Sequence, residues 1–307
     1  MSLSLRLPSA REPAKPLGMS RHPPPPALSE APLAPGLYLV ATPIGNLRDI
    51  TLRALDVLNA ADMVLAEDTR VAAKLLNAFG LSKKLERYDE HSAERSGPKA
   101  LALLAEGGRV ALVSDAGTPL ISDPGYRLGR EAIAQGSAVY PVPGASALLA
   151  GLAVAGLPTD RFLFAGFPPP KSVARRAFFE ELAGVRATLV FFEGASRVAA
   201  SLADMAVVFG PREAAVAREL TKLYETVIRA PLGELAADPR LAKPKGEIVI
   251  LVAPGRVVAS TAADADTALR DALTRLRPAE AASEVAKALG LPRRDLYRRA
   301  MELRSGD

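Results

Sequence analysis

Short apolar runs recur along the chain, each followed by small or polar residues and then by a stretch with helical spacing. Leu37-Tyr-Leu-Val-Ala-Thr42, Met63-Val-Leu-Ala66 and Val110-Ala-Leu-Val113 are too short for helices and read as buried strands, with a further strand near Val139. Between them, Leu52, Leu55 and Leu58 hold one helix face. Leu75, Leu76 and Phe79 hold another, with Gly80 placed to stop that helix. Two more helices are expected over 126–134 and after Pro143-Gly-Ala-Ser-Ala147. Strands alternating with helices predict an α/β unit whose mostly parallel sheet is covered on both faces.

A second unit starts near Gly156-Leu-Pro158. Its expected strands are 162–165, 188–192, 214–217, 225–229 and 247–252, and its expected helices lie near 172–183, 196–207 and 231–236. Several of these strands follow one another closely, so this sheet is expected to be mixed. From about Asp264 the chain reads as helical, and Val285, Ala286, Leu289, Gly290, Leu291 and Leu296 have helix-turn-helix spacing. Arg293, Arg294, Arg298 and Arg299 stud the second of those helices. The expected organisation is a disordered tail over 1–35, rich in Pro, Ser and Ala, then α/β domains over 36–155 and 156–253. A linker over 254–263 and a helix-turn-helix-like extension over 264–307 follow. There is no internal repeat.

Composition narrows the chemistry. A chain of 307 residues fits two domains with extensions. No apolar run reaches the roughly eighteen residues of a membrane span, and no secretion leader is visible, so a cytoplasmic protein is expected. Cysteine is absent, which excludes disulfides, thiolate metal sites and cysteine nucleophiles. With only His22 and His91 in the chain, no metal centre is expected, and a Ser-His-Asp triad would have to use one of the two. A net charge of +5 permits a polyanionic partner without demanding one.

The stretch from Arg109 to Tyr126 carries the strongest chemical signal. Its buried strand stops on Ser114 and Asp115, Gly117 and Pro119 follow, and Asp123-Pro124-Gly125 opens the next helix. A carboxylate at the carboxyl end of a buried strand lies where α/β proteins hold ligands. Neither the phosphate-binding loop G-x-x-x-x-G-K-[ST] nor the dinucleotide turn G-x-G-x-x-G is present. The first strand ends instead in Thr42-Pro-Ile-Gly-Asn46, a stiff turn with little side-chain bulk. Capping explains Asp68 in Glu67-Asp-Thr-Arg70. It leaves Arg70, a cation in a first helical turn, in need of a carboxylate or phosphate. Arg218-Glu-Leu-Thr-Lys222 clusters opposed charges after an apolar strand. The strand ends at Pro43, Asp115 and Ser146 each open onto a small-residue loop, and together they suit an adenine-bearing ligand held by backbone groups and one carboxylate.

Ala41-Thr-Pro-Ile-Gly-Asn-Leu-Arg-Asp49, Ala66-Glu-Asp-Thr-Arg70, the block from Val113 to Gly125, Pro143-Gly-Ala-Ser-Ala147, Gly166-Phe167, Arg218-Glu-Leu-Thr-Lys222 and Lys245-Gly-Glu247 together resemble the tetrapyrrole-methylase superfamily. Within it they are similar to the branch that methylates a cytidine ribose 2′-oxygen in 16S ribosomal RNA. The resemblance covers about 37 to 253, with a looser match over the C-terminal helices. It implies S-adenosylmethionine bound in a cleft between two α/β domains, ribosomal RNA in the small subunit as partner, and a homodimer. It also implies cofactor contacts from Pro43, from Ser114, Asp115 and Thr118, from Ser146 and Ala147, and from Glu193 and Leu220. Relatives acting on tetrapyrroles carry a Gly-rich first loop and Gly-Asp-Pro at the central block. This chain has Thr-Pro-Ile-Gly and Ser-Asp-Ala-Gly there, so those contacts transfer by position.

A ribose hydroxyl is a weak nucleophile, so a general base is expected, with Glu67, Asp68, Glu219 and Lys222 as unranked candidates. Lys222 could instead hold a phosphate beside the target. RNA contacts are expected from Arg70, Lys171 and the four C-terminal arginines. A fallback surface around the cleft would use Arg70, Lys171, Arg175, Arg176 and Lys222. The competing readings are a small-molecule methyltransferase of the same fold and a non-catalytic RNA-binding protein. The basic helix pair disfavours the first, and the small-residue loops disfavour the second.

Overall fold

A computed structural model describes residues 28, 29, 31–121, 125–255, 262–289 and 291–305. The tail up to residue 27, the expected helix start at Asp123-Pro124, most of the linker and Gly290 lie outside them. The first sheet is built from β1 (Gly36–Val40), β2 (Met63–Ala66), β3 (Leu85–Arg87), β4 (Arg109–Val113) and β5 (Val139–Val142) in the order β3-β2-β4-β1-β5. Every pair in it is parallel. The apolar runs sit where the pattern places them, because strands buried on both faces need continuous apolar sequence. Helices α1 (Leu52–Ala60) and α2 (Thr69–Ala78) cover one face, and α3 (Ala93–Ala105) and α4 (Tyr126–Ala134) cover the other.

Two of these elements are absent from the sequence reading. β3 is a three-residue edge strand, Leu-Glu-Arg, with no apolar run to mark it. α3 contains Gly97 and Pro98, which read as breakers. The helix forms because its Ala100 and Leu104 are buried in the core beside Leu65 and Leu112. Its start is secured by Asp89, whose carboxylate accepts the Ser92 N–H and hydroxyl, each at 2.7 Å.

α5 (Ala147–Ala155) is apolar throughout, burying Gly151, Leu152 and Ala155 and leaving Leu149 exposed. Leu152 and Ala155 pack on Val249 and Leu251 of the second sheet, so this helix, which the sequence reading assigns to the first domain, joins the two halves. That sheet runs β6-β7-β10-β8-β9, with β6 (Phe162–Phe164), β7 (Thr188–Gly194), β8 (Glu213–Arg218), β9 (Thr226–Pro231) and β10 (Glu247–Val252). β6 and β7 are parallel, and the other pairs are antiparallel, so the sheet is mixed as expected. Helices α6 (Ser172–Leu182), α7 (Val198–Phe209), α8 (Leu232–Ala237) and the short α9 (Pro239–Ala242) complete this half.

A separate compact unit holds α10 (Ala262–Leu273), α11 (Pro278–Leu289) and α12 (Arg293–Ser305). Leu269, Val285 and Leu296 form its core with a set of buried alanines. α10 begins at Ala262, inside the stretch that composition assigns to the linker. No helix among the described residues is long and apolar enough to cross a membrane.

Candidate active site

Neighbouring strands β1 and β4 lead in opposite directions, β1 through α1 toward β2 and β4 through α4 toward β5. A crevice opens outside the carboxyl ends of strands at such a reversal, and ligands settle there. Two loops meet at this point. The Thr42 N–H donates to the Gly117 carbonyl at 2.8 Å, and the Gly117 N–H returns a bond to the Thr42 carbonyl at 3.0 Å. Gly117 has φ of 82°, a left-handed conformation that favours glycine. The loop after β4 therefore folds back over the end of β1 and presents Asp115 and Thr118.

Above this floor lies a cavity of about 390 Å³. The first half lines it with Glu67, Asp115 to Thr118, and Ser146 and Ala147 at the start of α5. The second half supplies Phe167, Phe192, Leu220, Gly246 and the beginning of β10 from Glu247 to Val249. Phe167 and Phe192 meet edge to face, with centroids 5.7 Å apart, and make an apolar wall. Glu67, Asp115, Glu193 and Glu247 all border the cavity, and no lysine or arginine does among the described residues. Glu193 is turned inward. Its buried carboxylate meets Arg197 at 2.5 Å, accepts the Gly194 N–H at 2.8 Å and binds the Ser201 hydroxyl.

A second cavity, of about 310 Å³, shares Ile44, Asp115, Ala116 and Glu247 with the first. Pro43 and Ser114 line this one. Of the residues that the resemblance brings forward as cofactor contacts, Asp115, Thr118, Ser146, Ala147, Glu193 and Leu220 border the first cavity, and Pro43 and Ser114 border its neighbour. The motifs of the resemblance include Phe167, Gly246 and Glu247 without a site role, and Phe192, Ile248 and Val249 read only as strand positions. The start of β10 reaches the site only because β10 runs antiparallel between β7 and β8, which places Ile248 opposite both Glu193 and Arg218.

The four candidate bases differ in their surroundings. Asp68 caps α2, accepting the Arg70 N–H at 2.8 Å, and its carboxylate also holds the Arg70 guanidinium at 2.5 Å. That pair supplies the partner Arg70 needs and holds the Asp68 carboxyl far below its usual range. Lys222 donates to Glu219 at 2.9 Å and to Glu247 at 3.0 Å. The bond from Lys222 holds the Glu219 carboxyl below its ordinary value. Burial disfavours the Lys222 ammonium, but its bonds to Glu219 and Glu247 outweigh that and raise its pKa. All three groups are held in their charged states, Lys222 with no lone pair to take a proton. Glu67 is the member of the set that borders the first cavity.

The basic positions are distributed unevenly. Lys171 lies exposed at the start of α6, outside both cavities. Arg175 is buried, and Asp204 binds it at 2.5 Å and Arg176 at 2.6 Å. The expectation that Arg175 belongs to a fallback RNA surface is therefore wrong, because its charge is enclosed beneath α7. In the C-terminal unit Arg293, Arg294 and Arg298 are exposed, as expected of outward-facing arginines. Arg299 departs from that expectation. Asp266 of α10 binds it at 2.6 Å and Glu302 at 2.9 Å, so it ties helices together.

The tetrapyrrole (corrin/porphyrin) methylases match residues 36–236, and the RsmI C-terminal HTH domain matches residues 259–304. A ribosomal RNA small subunit methyltransferase I of Mesorhizobium japonicum is 51% identical over 275 residues, covering 89% of this chain and 94% of that protein. One of Erythrobacter litoralis is 53% identical over 277 residues, covering 90% and 98%. Among solved structures, the methyltransferase CobJ is 21% identical with a TM-score of 0.55, covering 71% of this chain and 94% of that one, a likeness of fold.

Proposed function

The chain belongs to the tetrapyrrole (corrin/porphyrin) methylase family and is a methyltransferase, and we propose that it transfers the methyl group of S-adenosylmethionine to the ribose 2′-oxygen of a cytidine in 16S ribosomal RNA. One observation carries this reading: the cavity at the strand reversal is bordered by Asp115 and Glu67, without a lysine or arginine among the described residues, and is backed by an aromatic wall, while Glu193 and Glu247 on its border are held by Arg197 and Lys222. Such a lining suits a ligand that combines a cationic centre with a flat ring.

S-adenosylmethionine supplies a methyl group already activated on a sulfonium, so the protein's task is alignment. Asp115 offers its carboxylate to the ligand's polar groups, while the loop around Gly117 and the start of α5 bring backbone close to it. Phe167, Phe192 and Leu220 exclude water from the opposite side. Holding an acceptor oxygen in line at near-attack distance contributes several kcal/mol on its own. Of the four candidate bases, Glu67 is the one that borders this donor space, and it is assigned as the group that takes the hydroxyl proton. Lys222, whose ammonium carries its charge, meets a phosphate rather than a proton.

The RNA partner rests on the two relatives and on the exposed arginines of α12. The acting form is a homodimer, which sedimentation equilibrium tests. Nucleoside mass spectrometry on small subunits treated with enzyme and S-adenosylmethionine tests the acceptor. A gain of 2′-O-methylcytidine is expected, and a methyl group on a base would refute the ribose assignment.

A further inference from the structure

The two cavities differ in charge. The first has no lysine or arginine on its border among the described residues, whereas Lys74 and Lys222 both line the second. Apolar surfaces of Pro43, Leu47, Val71 and Leu75 lie between those cations. Arg70 stands one helical turn before Lys74 on α2, with its guanidinium held by Asp68. The Lys222 stem lies over the first loop, since a Cβ on Gly45 would overlap it. The cavity is thus closed on one side by α2 and on the other by a lysine reaching over from the second half.

From this we infer that the second cavity receives the acceptor itself, a single unstacked nucleotide. Its base would lie among the apolar residues and its flanking phosphates on Lys74 and Lys222. The inference rests on the methyl-transfer reading above. Three observations support it. The cavities share Ile44, Asp115, Ala116 and Glu247, so a hydroxyl at that shared wall faces the donor space. Transfer needs the reacting atoms about 3–3.5 Å apart, which only an adjoining pocket allows. A volume of about 310 Å³ leaves room for one nucleotide, and enzymes acting on a nucleotide within a structured nucleic acid take it out of the stack. The second cavity also offers cations that the first lacks, Lys74 and the Lys222 ammonium bridging Glu219 and Glu247.

The test uses the full chain with Lys74→Ala, Lys74→Glu and Lys74→Arg. Filter binding gives the Kd for unmethylated small subunits at several salt concentrations, and calorimetry gives the Kd for S-adenosylmethionine. Lys74→Glu is expected to weaken subunit binding at least about tenfold, the size of one lost charge-assisted contact. Lys74→Ala should lower the salt slope by about 0.7–0.9, as one phosphate contact requires. Lys74→Arg should restore both, and all three variants should bind S-adenosylmethionine as the parent does. A structural role for Lys74 would move donor affinity and leave the salt slope alone, which overturns the inference. Parental subunit affinity and slope in Lys74→Glu would also overturn it, with the methyl-transfer reading intact. If the parent bound subunits yet methylated none, the underlying reading would fail and the inference with it.

Discussion

The Asp115 carboxylate accepts the backbone N–H of Asp68 at 2.9 Å, joining the ends of the adjacent strands β4 and β2. One carboxylate therefore fixes the start of α2 and still borders both cavities. Asp115→Ala is expected to cost about 1.5–3 kcal/mol of S-adenosylmethionine affinity, the worth of a hydrogen bond to a charged group. The variant also loses the exposed bond to the Asp68 N–H at the start of α2, so the unfolding midpoint should fall modestly while the protein stays folded. Calorimetry reads the first effect, and unchanged affinity would remove Asp115 from the donor site.

Gly246 has φ of 92°, and a Cβ there would overlap the Glu219 carboxylate. Glu219 and Thr221 themselves hold positive φ, at 52° and 66°. Such strain persists only where the surroundings enforce it. Gly246→Ala should destabilise the protein by about 1–3 kcal/mol and release the Lys222 bridge, lowering methyl transfer. Gly233→Ala, in open space on α8, is the control and should do neither. Urea titration of both variants checks the comparison.

Asp89 anchors the start of α3, and its bonds from Ser92 hold its carboxyl at about 2 against an ordinary 3.8. A depressed folded pKa adds stability that is fully present above the unfolded value and is lost as pH falls through the folded one. Acid unfolding should therefore steepen between about pH 4 and pH 2. Asp89→Asn should flatten the curve in that window, and an unchanged profile would mean that other carboxylates govern it.

Much of the site was readable in the sequence because it lies at strand ends. The runs ending at Thr42, Ala66 and Val113 fix where three loops emerge, and Gly117 and Asp115 stand out there against apolar neighbours. Phe192 and Ile248 were not readable as cavity residues. Each is an ordinary strand position until antiparallel pairing sets β10 beside β7. The fate of the arginines was equally hidden. Arg175 and Arg176 are adjacent in sequence, yet helical geometry buries the first and leaves the second half exposed, both on Asp204. α3 escaped notice because burial of Ala100 and Leu104 overrides the breaking tendency of Gly97-Pro98.

The C-terminal arginines divide into two kinds. Arg293→Glu with Arg294→Glu should weaken RNA binding and flatten its salt dependence, with the unfolding midpoint unchanged, because both side chains are exposed. Arg299→Ala should instead lower the stability of the helical unit by breaking its link to Asp266, and leave the salt slope as it was. Filter binding across a salt series, paired with thermal unfolding, separates the two. Equal effects of both changes on the slope would show that the Asp266 pair opens to RNA.

Transfer of tritiated methyl from S-adenosylmethionine to purified ribosomal subunits tests the central claim most directly. Small subunits from cells lacking the enzyme should take up close to one methyl group each, in ribose, while large subunits and already methylated small subunits take up none. Absence of label on unmethylated small subunits, with the enzyme folded and binding the donor, would contradict the account.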